Sequence, residues 1–490
     1  MFANRLYFSI KKIIFFCSIF FFIIHTLLLV TLKVTSIGIG SLNVNSFIHF
    51  FSFIKLDSMG VSWLYISSLV IIFCQLIIIR RSFFYTQPVK DNINYSLQYY
   101  GSLPTGSSTW WVFYLFVIQT SLTFLFLTDN VLIFYISFEA TLLPFFLWIG
   151  EAALRNRRWH AAFFLVFFTL LGSIGMLWSI CILYKVNNSF SISDYIYSSS
   201  SNNNLHLLWS SFILFTFSFL IKFPVFPFAS WLPEAHVEAS TEASVLLAAV
   251  LLKVAPFGFY KIIIPSFSYW YAEYASILLI IGLFSSLYYV LSLLVQTDLK
   301  RATAYTSIIH MSIMLCLLVE TSKTSMFSAF LMGALHSFCS AGLFCCIGYL
   351  YDKEKNKNLN YLSGLADVRP IFSVYFFLFN LVNIGYPLIG SYISEGLLFI
   401  ISEKSNNYFY TLLIVFILYF LTCSAFFMLS KILYRSWHKY SIRKTSDLLS
   451  EESYSLFLLF IVCVFFGMFP GLYLSYINDS IAFIIYCNCV

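Results

Sequence analysis

Phe223 to Lys253 reads FPVFPFASWLPEAHVEASTEASVLLAAVLLK, and Lys222 stands immediately before it. Pro224, Pro227 and Pro233 crowd the start of this otherwise apolar stretch. Proline has no amide hydrogen, and its ring clashes with the carbonyl four residues back, so a helix arriving at Lys222 must stop there. A helix broken among apolar residues frees carbonyls that only neighbouring protein or a cavity can satisfy. Two lysines bracket the break, each embedded in sequence that otherwise reads as membrane interior.

The rest of the chain agrees. Of 490 residues, 60% are hydrophobic and only 10% charged, against about 25% charged in an ordinary soluble domain. Phe alone, at 58, outnumbers the 19 Gly and 11 Pro together, so the apolar excess is not a low-complexity effect. At about 20 residues per helical span, no length remains for a sizeable soluble domain, which argues against catalysis in water. The 11 Cys include no Cys-x-x-Cys pair, and the pair Cys487 and Cys489 has no His nearby. They read as small buried hydrophobes, with no zinc or iron–sulfur site signalled. No nucleotide-binding or haem-attachment motif occurs, so no cofactor and no metal is expected in this chain.

Apolar runs bracket thirteen spans: 13–33, 59–79, 109–127, 131–150, 160–184, 205–223, 241–260, 270–295, 302–319, 325–350, 370–402, 408–430 and 454–476. The first is too long for a signal peptide, and no small-residue cleavage site follows Val34. Lys and Arg test the count, because they concentrate in cytoplasmic-side loops. They cluster around 5–12, 80–90, 155–158, 300–301, 353–369 and 431–444, while the alternate loops hold only Lys33, Lys55, Lys185, Lys261, Lys323 and Lys404. The net charge of +7 is therefore topology, with the amino terminus inside, and not a nucleic-acid patch. The expected fold is an all-α polytopic membrane protein of about thirteen transmembrane helices.

Lys222, Lys253, Glu139 and Glu395 stay inside predicted spans. Charge at such depth is expensive and marks function by default. Lys222 could instead snorkel from a helix end, and Glu139 could be a structural ion-pair partner. A second break is written at Gly385 and Pro387, in the segment that carries Glu395. Paired interrupted helices point to an inverted-repeat transporter. His236, His310 and His336 fill the space between, and although any one of them could be a satisfied core residue, three together suit proton handling. His236 and Glu238 lack a third ligand in register for a metal site.

Phe223–Lys253 resembles the signature of the proton-pumping, antiporter-like membrane subunits of respiratory complex I. FYISFEATLLP around Glu139, TLLGSIGML at 169–177, QTDLKRATAYTSIIHMS at 296–312 and ALHSFCSAGLFCCIGYLYD at 334–352 resemble the same family. YPLIGSYISE, ending at Glu395, is similar to the branch with a glutamate in place of lysine on the second broken helix. The resemblance implies that Glu139 pairs with Lys222, that Lys253 is the central relay, that His310 and His336 connect it onward, and that Glu395 lies near the outlet. His236 matches the histidine of the family's WLPxAH segment.

Ala229 replaces a second histidine, and Ser240 and Ser394 stand where the family usually has Pro and Gly. Family members usually have fourteen helices; aligning Leu56–Ser62 with the start of the third makes 13–33 the second, so the first is expected to be missing or supplied by another chain. The implied division is 1–128 (N-terminal helices), 129–260 (first repeat, broken near 222–233), 261–402 (second repeat, broken near 385–387) and 403–490 (C-terminal helices). The resemblance further implies NADH, FMN, iron–sulfur clusters and ubiquinone in partner subunits, with subunit 2- and 5-like neighbours and lipids as partners. It places the chain in the mitochondrial inner membrane with its start on the matrix side, or in a bacterial plasma membrane. A free-standing cation/proton antiporter subunit shares the Glu139, Lys222 and Lys253 pattern, whereas a scaffold that has lost pumping predicts missing charges.

Overall fold

A computed structural model describes residues 55–86, 107–152, 157–198, 205–387, 389–404, 408–434 and 447–489, with a few positions between 19 and 27. The expected span 13–33 lies mostly outside the described residues. Among them there is no β-strand, only the isolated bridges Asn130–Ser191 and Asp298–Asn358.

The helices, in order, are α1 (Ser58–Thr86), α2 (Ser107–Leu127), α3 (Val131–Ala140), α4 (Leu142–Ala152), α5 (Arg157–Asn187), α6 (Ile192–Ser198), α7 (Leu205–Lys222), α8 (Trp231–Glu238) and α9 (Thr241–Ala249). After a stretch of mixed helix type come α10 (Ser268–Leu293), α11 (Leu299–Val319), α12 (Lys323–Glu354), α13 (Pro370–Ile384), α14 (Gly390–Lys404), α15 (Tyr408–Leu429), α16 (Ser450–Met468) and α17 (Pro470–Cys489). Among the described residues, eleven helical segments are long and apolar enough to cross a membrane, and the expected span 370–402 appears as two shorter helices, Pro370–Ile384 and Gly390–Ser402. The expected span 454–476 ends early: Pro470 cannot continue the helix, and α17 starts there.

α12 is the hub, packing on α1, α9, α11, α13, α14, α16 and α17. Its apolar window is wholly buried, as is that of Thr241–Ser266, whereas that of α5 is only 39% buried. On α5 the exposed Phe163, Phe167, Ile174 and Trp178 recur at helical spacing and make an apolar outer stripe. Such a surface suits lipid, not water.

Helix starts follow ordinary capping. The side chains of Asn130, Ser240, Asp298 and Ser322 accept from the first free amides of α3, α9, α11 and α12. Ser240 thus starts α9 by accepting from Ala243 N. At the basic end, buried Arg369 pairs with Glu354 and Lys353 lies 3.5 Å from Glu452.

The two breaks satisfy their carbonyls differently. After α7, Pro224 cannot donate to Leu220 O; Val225 N reaches it at 3.4 Å, and Trp231 Nε1 donates to Ile221 O at 3.2 Å. After α13, Gly385 adopts φ 77°, Tyr386 N donates to Leu381 O and Gly385 N to Val382 O. This is a Schellman-type ending.

The left-handed backbone at Gly385 costs a side chain about 1–2 kcal/mol. An added Cβ would also lie 2.8 Å from the Glu395 carboxyl carbon. Gly385→Ala should lower the thermal unfolding midpoint of the detergent-solubilised protein, and an unchanged midpoint would refute the constraint. Arg369→Met should cost about 3–5 kcal/mol by stranding the Glu354 charge. The double variant Arg369→Met/Glu354→Met should recover most of that loss in the same melting assay.

Candidate functional site

All the charged and histidine side chains singled out from the sequence are buried except Glu139, which is half-buried. They fall into two groups.

The first holds Glu139, near the end of α3, and Lys222, the last residue of α7. α3 stops after Ala140 because Pro144, inside α4, has no N–H for the Ala140 carbonyl. Beside this break, Lys222 Nζ donates to Phe138 O at 3.4 Å and sits 3.1 Å from the centre of the Phe138 ring. An aromatic face so placed attracts a cation. Glu139 and Lys222 interact electrostatically, with Ser173 beside the carboxylate. Among the described residues no ion pair within 4.0 Å joins them, and Glu139 Oε1 has no hydrogen-bond partner. The structure therefore holds the pair open.

The second group surrounds Lys253. Between α9 and Ser266 the backbone passes through a 3₁₀ turn at Leu251–Lys253, a short α-helix at Val254–Gly258 and a π-turn at Phe259–Ile263. Pro256 explains the irregularity, since it removes the donor for Leu252 O. Lys253 Nζ lies 2.9 Å from His336 Nδ1 and 3.3 Å from Met311 Sδ. The His336 and His310 ring centres are 5.4 Å apart.

His310, His336 and Glu395 line one cavity together with Cys339, Asn383 and Ser391. It offers about 20 Å³ to the centre of a water molecule, and about 10–15 Å³ is enough for one. His310 Nε2 and Glu395 Oε1 have no hydrogen-bond partner.

An aromatic cluster adjoins the first group, where Phe219 meets Phe138 at a ring-centre distance of 6.1 Å. Phe259 meets Phe219 and Phe223 at ring-centre distances of 5.9 and 5.4 Å. His236 stacks on Phe344 at 4.4 Å, and neither ring nitrogen has a hydrogen-bond partner. It lies within electrostatic reach of His336.

The sequence reading placed Lys261 in a loop. It lies instead inside the span Thr241–Ser266, buried, with Nζ donating to Phe126 O at 3.2 Å. The apolar run continues to Ser266 and the next helix starts at Ser268, so no loop exists to expose it. Tyr260 Oη donates to Asp57 Oδ2 at 3.4 Å. Burial pushes the Asp57 carboxyl above the usual carboxylate range, although Lys261 opposes the shift. Lys300, read as a loop cation, is buried as well.

The sequence profile described as NADH:quinone oxidoreductase/Mrp antiporter, transmembrane, matches residues 128–422. NADH-ubiquinone oxidoreductase chain 4 of Acanthamoeba castellanii is 34% identical over 342 residues, 69% of this chain and 67% of that protein. The protein of the same name from Marchantia polymorpha is 31% identical over 368 residues, 75% of this chain and 73% of that one. In fold, the chain is similar to one in respiratory complex I from Thermus thermophilus with bound NADH, with TM-score 0.76, 21% identity and coverage of 88% and 85%. A chain of the Mrp complex from Dietzia sp. gives TM-score 0.75 at 15% identity over the same shares.

Proposed function

The chain belongs to the family of transmembrane subunits shared by NADH:quinone oxidoreductases and Mrp antiporters, and from that premise we propose that it is the chain 4-type subunit of an NADH:ubiquinone oxidoreductase, where it moves protons across the membrane. The observation that carries this reading is the contact of Lys253 with His336, which opens onto the cavity that His310 shares with Glu395. Quinone reduction in partner subunits drives the transport. NADH, FMN, iron–sulfur clusters and ubiquinone belong to those partners. The membrane is the mitochondrial inner membrane, with the basic end facing the matrix.

Lys253 and His336 share one hydrogen bond, and moving its proton along the 2.9 Å line leaves a neutral lysine and a charged imidazole. A bridging water carries the proton on to Glu395 or His310. Glu139 and Lys222 set the state of the relay electrostatically. When Glu139 closes on Lys222, that lysine keeps its proton. When the pair is open, the charge of Lys222 repels a second charge on Lys253 and favours onward transfer. Moving one charge against 100 mV costs about 2.3 kcal/mol.

Lys253→Met and Glu139→Gln should each leave the complex assembled and lower proton translocation coupled to quinone reduction by about ten-fold or more. Native gels and acidification measurements on membrane vesicles test this, and wild-type pumping in both variants would overturn the relay. Cys339→Leu should fill the cavity and slow translocation without removing any charge; an unchanged rate would exclude a water path there. The similarity to the Mrp complex chain supports a second reading, a cation/proton antiporter subunit. Sodium-dependent proton flux by the chain alone in liposomes would favour it over the first.

A further inference from the structure

α8 is a half-helix of 8 residues, cut off from α7 by the proline break. The last carbonyls of a helix have no intrahelical donors, and together they carry a partial negative charge. In so short a helix those carbonyls are much of the backbone, so donors from elsewhere decide how it sits. Lys300 Nζ donates to Ala239 O at 2.9 Å, and Lys357 Nζ donates to Val237 O at 2.5 Å. Arg301 Nη2 lies 2.7 Å from Glu234 Oε1 on the same half-helix.

These cations come from one rigid piece. Leu299 N donates to Lys357 O at 3.0 Å and Leu359 N to Thr297 O at 2.8 Å, around the Asp298–Asn358 bridge. Asp298 also caps α11 through the amides of Lys300 and Arg301. Lys355, at φ 55°, ends α12 and turns the chain into this ladder. The ladder thus ties the start of α11, which carries His310, to the end of α12, which carries His336. Its free face grips the half-helix that follows Lys222.

We propose that Lys300, Lys357 and Arg301 are positioning residues: a three-cation clamp on α8, two amines on carbonyls at its carboxyl end and a guanidinium on Glu234 of its first turn, that transmits the state of the Glu139–Lys222 break to the helices bearing His310 and His336. The clamp rests on the relay reading, and it links the half-helix after Lys222 to the two helices bearing His310 and His336. Tilting α8 at its proline break pulls on α11 and α12 together, because one ladder holds both. A positive charge at this position is required, and the side-chain shape is not.

In vesicles containing the assembled complex, Lys300→Gln and Lys357→Gln should lower protons translocated per electron by about three- to ten-fold, the scale of a charge at a helix end. NADH oxidation by ferricyanide should stay unchanged. Lys300→Arg should restore most of the ratio, and hydrogen exchange of the 231–239 amides should quicken in the Gln variants and not in Arg. Wild-type coupling in both Gln variants overturns the clamp, as does Lys300→Arg behaving like Gln. Should buried Lys300→Gln prevent assembly, the half-buried Lys357→Gln decides by the same criteria. Lys253→Met, measured in parallel, separates the two levels. Normal clamp variants beside an inactive Lys253→Met overturn the clamp alone, whereas normal translocation in all of them overturns the relay and the clamp with it.

Discussion

Inside a hydrocarbon layer no solvent completes an unfinished backbone, so each broken helix must be finished by its own protein. That constraint organises this molecule. The carbonyl freed after α7 is taken by the indole of Trp231, and those at the far end of α8 by two lysines. The second break is closed by a left-handed glycine with no side chain, and that glycine makes room for the Glu395 carboxylate. Each repair places a charge or a charged partner at depth. The breaks are where the fold and the chemistry become the same problem.

The same constraint explains why the titratable groups form two clusters and not one chain of contacts. Lys222 rests on an aromatic face and one carbonyl, a setting that holds a cation but offers no second proton carrier. Lys253 rests against an imidazole, which is a carrier. Phe219, Phe223 and Phe259 pack together beside Phe138. An unscreened charge in a medium of low dielectric is felt well beyond hydrogen-bond range.

Much of this was legible in the sequence because prolines and buried charges leave unmistakable marks in apolar text. The break after Lys222, the break at Gly385 and the depth of Lys253, His310, His336 and Glu395 could all be read there. The irregular backbone around Lys253 was also written, in Pro256, but a proline beside a lysine already judged functional was overlooked. Lys261 was misread for a physical reason: a charge ends a hydropathy run on paper, whereas an amine that reaches Phe126 O can stay in the bundle. Pairing was less legible than placement. The resemblance implied that Glu139 pairs with Lys222, and which state of that pair the structure holds could not be read from the residues.

The basic residues show how one charge can serve two ends. Lys300, Arg301 and Lys357 fit the positive-inside pattern, and topology alone would explain their presence. Topology requires only that cations lie on one side; it does not require that Lys300 be buried with its amine on the last carbonyl of a half-helix. A desolvated lysine must recover what it loses on leaving water, and the helix end supplies that recovery through its carbonyls and its dipole. The retention is therefore mutual: α8 is held by the cations, and the cations are held by α8. A movement at the proline break that withdraws those carbonyls loosens the hold of Lys300 and Lys357, and through them it acts on the start of α11 and the end of α12.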